Sequence, residues 1–106
     1  MPNVFIGTNV KIGKSTVIYS NCSLTHDIEI NDNVFLGSSC VIGGNVVIGK
    51  NSFIGMNSTI KNRISLGAYT LVGCGSNVIT TVGEERCVLV GNPAKVLIGK
   101  DSMNSI

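Results

Sequence analysis

Charge is scarce in this chain. Only 13% of its 106 residues are Asp, Glu, Lys or Arg, and eight basic residues against six acidic ones leave a net charge of +2. No basic stripe is available, which excludes nucleic acid as a partner. Long apolar runs are missing too: the 43% hydrophobic content is scattered as single residues, and no stretch approaches the length of a membrane span. Met1-Pro2-Asn3 leads straight into patterned sequence without a signal peptide, so the expected location is cytoplasmic. There is one histidine, His26, and none of the four cysteines stands in a Cys-x-x-Cys pair. A metal centre built from several histidines and a thioredoxin-like redox site are both excluded on those counts, and no metal is expected. The length allows one domain, placed over residues 1–98, with residues 99–106 as a C-terminal tail.

What the chain does have is a count of six. An aliphatic residue stands at Ile6, Ile12, Ile18, Leu24, Ile30, Leu36, Ile42, Ile48, Ile54, Ile60, Leu66, Val72 and Val78 without a miss. Six does not fit a helical period of 3.6 but does fit a strand period of 2, so the repeating unit is a short strand and a turn. Two residues before most of these beats stands another small or aliphatic residue, among them Cys22, Ile28, Val34, Cys40, Val46, Ser52 and Ser58. In a strand it points to the same side, so both sets are predicted to fill one narrow core. Cys22 and Cys40 then read as reduced thiols occupying small core sites. Gly follows most beats, and Asn, Asp or Ser recurs two residues later, as in Asn45, Asn51 and Asn57; these residues tolerate the left-handed backbone of a corner. A chain that turns every six residues must wind about an axis, with each strand pairing in parallel with its equivalent in the next coil.

The pattern aliphatic, Gly, two variable residues, small residue, one variable residue resembles the hexapeptide repeat of left-handed parallel β-helix acyltransferases. That resemblance implies an all-β fold in which three hexapeptides make one triangular coil and residues eighteen apart lie one above another. Residues 4–82 would form about four to five such coils. The left-handed winding is taken from the resemblance, since parallel crossovers are otherwise right-handed.

The repeat is least regular over residues 18–33, where Tyr19, Thr25 and Asn31 replace the Gly that follows a beat. His26 lies here, followed at once by Asp27, with Glu29 and Asp32 close in sequence. A scaffold does not need such departures, and functional residues are placed in them. His26 is the one side chain that titrates near neutral pH, and Asp27 could orient it. One coil above, Gly44 could present a backbone N–H to an atom held against His26. The same residues also fit a solvated corner histidine and a glycine that eases a tight turn, and residue type alone does not choose between the two.

Narrower motifs, namely His26-Asp27, Gly43-Gly44-Asn45-Val46, Ile54-Gly55-Met56-Asn57-Ser58 and the tail Val90-Gly91-Asn92-Pro93-Ala94-Lys95-Val96, resemble the catalytic domain of the sialic acid O-acetyltransferase and bacterial amino-sugar N-acetyltransferase group. The resemblance implies acetyl transfer from acetyl-CoA to a hydroxyl or amine of a sugar or sugar nucleotide. It makes His26 the general base, Asp27 its acidic support and the Gly44 amide the holder of the acetyl carbonyl. Acetyl-CoA would lie along the corners near Met56 and Cys74. Phe35 stands where several members of the group carry a second, donor-contacting histidine. The resemblance also implies a homotrimer, and an N-terminal acceptor-binding α/β domain that does not precede the first coil of this sequence. The competing expectation is a non-catalytic β-helix scaffold.

Overall fold

The computed structural model describes residues 3–104. Met1 and Pro2, on which the expectation of a start without a signal peptide falls, and the last two residues of the tail lie outside the described residues. The chain winds as a parallel β-solenoid with three strand columns. The first stacks Ile6 on Leu24, Ile42, Ile60 and Val78. The second stacks Ile12 on Ile30, Ile48 and Leu66, and ends in a bridge from Leu66 to Val82. The third stacks Ile18 on Leu36, Ile54, Val72 and Leu89. Partners are eighteen residues apart until the last coil, where the interval shortens by one or two residues and the count of six ends. Most strands have two residues, but Phe5–Ile12 and Ser23–Ile30 run on through a corner and join the first two faces.

Both inward sets occupy the core. The beats from Ile18 to Val78 are buried, and so are the small residues two before them from Cys22 to Ser76. Because that second row lies under the corners, its polar members need acceptors, and the coil above supplies them. The Cys22 thiol donates to Gly37 O, Cys40 to Gly55 O, Ser52 to Gly67 O and Ser58 to Gly73 O. Cys and Ser are thus interchangeable in role here, each satisfying a corner carbonyl fifteen residues on. All four cysteines are free, and burial pushes the Cys40 thiol up to about 11.

The corners take the expected backbone. Asn9, Ser15, Asn21, Asp27, Asn33, Ser39, Asn45, Asn51 and Asn57 all have φ between 50° and 64°, and the series continues through Arg63, Tyr69 and Gly75. Arg63 and Tyr69 hold the left-handed position without the short polar side chain that usually lowers its cost. The two ends differ. At the first coil Ile6 and Ile12 are 49% and 39% exposed, since the core they face has no coil beneath it among the described residues. At the other end Val88–Gly91 turns back antiparallel on Ala94–Val96, and Ser102 is buried, its hydroxyl donating to Tyr69 O and its amide to Arg86 O. Among the described residues no helix is long and apolar enough to cross a membrane.

Candidate active site

The corner between the first two faces stacks Thr8, His26 and Gly44. Thr8 and His26 are register partners, Asn45 N donates to His26 O at 3.2 Å, and Arg63 N donates to Gly44 O at 2.8 Å. This backbone ladder sets His26 one coil from Gly44, as the eighteen-residue interval predicts. Thr25, in place of the usual Gly, donates its hydroxyl to Ile42 O at 2.9 Å and so pins the turn that carries His26 to the coil above.

The imidazole lies against Gly44. A Cβ built on Gly44 would come within 2.5 Å of His26 Nε2 and 2.9 Å of Nδ1, and closer still to Cε1. Gly44 has no unusual φ to explain its identity, so the need for glycine here is the space the ring occupies. Gly44 itself is buried, and among the described residues no acceptor meets its N–H.

His26 Nδ1 stands 3.0 Å from Asp27 Oδ2, with the two side chains 54% and 48% exposed. The other carboxylate oxygen, Oδ1, accepts from Asn9 Nδ2 at 2.8 Å. The Asn9 amide and then the His26 ring hold the Asp27 carboxyl below its ordinary value. An ionised carboxylate only accepts, so Nδ1 is the donor in this contact, and in the neutral imidazole the lone pair is then on Nε2. By sequence Asn9 is one of the recurring corner residues and no more, yet it stands eighteen residues before Asp27, and the stacking interval is the signal that places it at the site. Asp32, close to His26 in sequence, belongs to the next corner, where it accepts from Lys14 N at 2.7 Å.

Within one chain the remaining candidates lie elsewhere. Met56 and Cys74 are exposed and stacked on each other, with Gly75 N donating to Met56 O at 2.9 Å, but their corner joins the third face to the first. Phe35 projects from the third face, stacked on Phe53 with ring centroids 4.6 Å apart and tilted against Tyr19 at 5.0 Å. His26, Asp27 and Gly44 form one cluster, and Met56 with Cys74 forms another.

Residues 3–44 match the family model described as bacterial transferase hexapeptide (six repeats). No curated protein matches the chain in sequence. Among solved structures, a mutant GDP-perosamine N-acetyl transferase from Caulobacter crescentus, in complex with CoA and GDP-perosamine, superposes with a TM-score of 0.87 at 25% identity, covering 90% of this chain and 45% of that one. A maltose O-acetyltransferase from Clostridium difficile 630 gives 0.80 at 26% identity, covering 95% and 66%. A hexapeptide-repeat acetyltransferase from Vibrio cholerae gives 0.80 at 23% identity, covering 91% and 69%, a likeness of fold. The chain spans about half the length of the perosamine enzyme it matches. Residues 3–44 carry the hexapeptide repeat of that family model, and the chain has the left-handed parallel β-helix fold that these acetyltransferases share.

Proposed function

We propose that this chain is an acetyl-CoA-dependent acetyltransferase that acylates a hydroxyl or amine of a sugar or sugar nucleotide. The observation that carries the reading is the seating of His26: its ring rests on Gly44, its Nδ1 is tied to Asp27, and its Nε2 is left free. The likeness to a perosamine N-acetyltransferase described with CoA and GDP-perosamine, and to a maltose O-acetyltransferase, supports the donor and the acceptor class.

In this reading the acceptor attacks the acetyl carbonyl directly. His26 Nε2 takes the proton as the nucleophile adds, a contribution of about 10²–10⁴-fold. Asp27 holds the tautomer and stabilises the imidazolium that forms. The Gly44 N–H faces the oxyanion, a role worth about 3 kcal/mol where such donors have been removed. The proton passes from His26 to the CoA thiolate as the C–S bond breaks. No covalent enzyme intermediate is required, and the buried Cys22 and Cys40 thiols have no part in the step.

The test has two arms. Acetyl-CoA should raise the melting temperature of the chain, and a donor-dependent screen across amino sugars, sialic acids and their nucleotide conjugates should give an acetylated product. His26→Ala should abolish transfer while circular dichroism remains that of the parent, because the side chain is exposed and adds little to the core. Absence of any thermal response to acetyl-CoA would favour a scaffold, and full activity in His26→Ala would remove the mechanism.

A further inference from the structure

The left-handed corner residues stack in columns, and one column differs from the others. Asn9, Asp27 and Asn45 form it, with φ of 58°, 50° and 58°. Ser15, Asn33 and Asn51 form a second, and Asn21, Ser39 and Asn57 a third. All nine side chains carry hydrogen-bonding groups at the same eighteen-residue interval. Among the described residues, though, side chain meets side chain between stacked corners of these columns in one place, from Asn9 Nδ2 to Asp27 Oδ1 at 2.8 Å. Asp27 is also the one carboxylate in the three columns. From the coil above, Asn45 sends only its backbone N–H, and that goes to His26 O.

The Asn9 bond answers a problem of the site. The Asp27 side chain is about half exposed, and the χ2 torsion of an aspartate is broad and two-fold. Water competes for both oxygens, so the contact with the imidazole alone is a weak hold. With Oδ1 bound to Asn9, Oδ2 faces His26 Nδ1 at 3.0 Å. A charge-assisted hydrogen bond on each oxygen fixes the plane of the carboxylate. The other charged groups beside it are Lys11 and Glu29, which line the same cleft. Among the described residues neither is within ion-pair distance of Asp27, so neither orients it.

We infer that Asn9 is a positioning residue of the site: it fixes the Asp27 carboxylate so that Oδ2 holds the Nδ1 proton of His26 and the Nε2 lone pair of the neutral ring stays available. Its consequence for rate rests on the proposed acetyl transfer, whereas its hold on the ring does not. An asparagine at a corner also serves the backbone, because it tolerates positive φ. Aspartate shares that tolerance and nearly the same shape but has no N–H to give when ionised, and glycine accepts the backbone with no side chain at all. The two substitutions therefore separate the hydrogen bond from the corner.

His26 is the only histidine, so its ring nitrogens give one set of 15N resonances. In the neutral ring of the parent they should report the proton on Nδ1. Asn9→Gly and Asn9→Asp, compared at about pH 8, where exposed carboxyls are ionised, should both shift the proton population away from Nδ1. Asn9→Asp should shift it further, because a second carboxylate repels the first. Both variants should melt within a few degrees of the parent. Initial rates of CoA release from acetyl-CoA, with the acceptor returned by the screen above, should show kcat reduced by about tenfold and KM for acetyl-CoA unchanged. Parental tautomer and parental kcat in Asn9→Asp would reduce Asn9 to a corner residue. A lowered kcat with an unmoved tautomer would also overturn the inference, since the loss would then not pass through the imidazole. A tautomer shift in variants of a parent that transfers no acetyl group would uphold the hold of Asn9 on the pair and remove the proposed function alone.

Discussion

A single hydrogen at Gly44 decides where the imidazole can rest. The Cβ of an alanine there would overlap Cε1 and Nε2 of His26, while the backbone of residue 44 has an ordinary φ that alanine adopts without strain. Gly44→Ala should therefore leave the solenoid folded and swing the ring off its seat. A displacement of about 1 Å at a reacting group costs about 10²-fold, so kcat/KM should fall by that order with no change in melting temperature. Activity equal to the parent would show that the seat is not the productive position. Asp27 adds the pH side of the same argument. Its carboxyl is held below the ordinary value, first by Asn9 and then by His26, so a depressed folded-state pKa contributes stability that is present above the unfolded value near 4 and is lost as the pH falls through the folded one. The Nδ1 contact thus persists throughout the neutral range. Replacing Asn9 by Ala should move the Asp27 titration, followed by carboxyl NMR shifts, upward toward its ordinary value, and an unmoved titration would separate Asn9 from the site.

The hexapeptide was the most legible element, because each turn of the prism repeats one steric problem. Every beat from Ile18 onward is buried, and every Asn, Asp or Ser read as a corner residue has positive φ. Arg63 and Tyr69 take the same backbone with side chains that carry no corner signal, so only the stacking of the coils around them marks their conformation. The return of Val88–Gly91 on Ala94–Val96 lay beyond the periodicity too, since antiparallel pairing there follows a slip from eighteen to seventeen residues that no count of six contains. At the site, His26, Asp27 and Gly44 were readable as one column, whereas Asn9 reads as an ordinary corner asparagine until its amide is seen to reach Asp27. The element makes a sharp prediction about charge. Ile48 is fully buried and Lys50, two residues on, is exposed. An unpaired carboxylate in the stacked aliphatic column costs several kcal/mol, comparable with the stability of a small domain. Ile48→Asp should yield no cooperative unfolding transition, and Lys50→Asp should unfold within a few degrees of the parent. Equal melting curves would place the beats on the wrong side of the strand.

For the whole molecule the third face presents a further problem of burial. Tyr19, Phe35 and Phe53 form an outward aromatic ladder continued by Val17 and Leu71, and Tyr19 is 47% exposed. Ile6 and Ile12 add apolar surface at the first coil. A short prism with an aromatic face gains by covering it, and cyclic symmetry lets one patch of each copy meet a different patch of the next until the ring closes. The site has the matching need. His26 on an isolated prism is open to solvent over half its side chain, and holding a thioester against it calls for a second wall. Met56 with Cys74 and Phe35, which one chain keeps apart from His26, are available to supply that wall from a neighbour. We therefore expect a homotrimer with three shared sites, the number three following from the acyltransferase resemblance. Sedimentation should give a species of three times 11.1 kDa. Phe35→Asp, an outward substitution that spares the core, should shift that species to monomer and remove acetyl transfer while the β-sheet circular dichroism is kept. A stable monomer of the parent chain that still transfers acetyl groups would refute the shared site and confine the catalytic argument to His26, Asp27 and Gly44 of one prism.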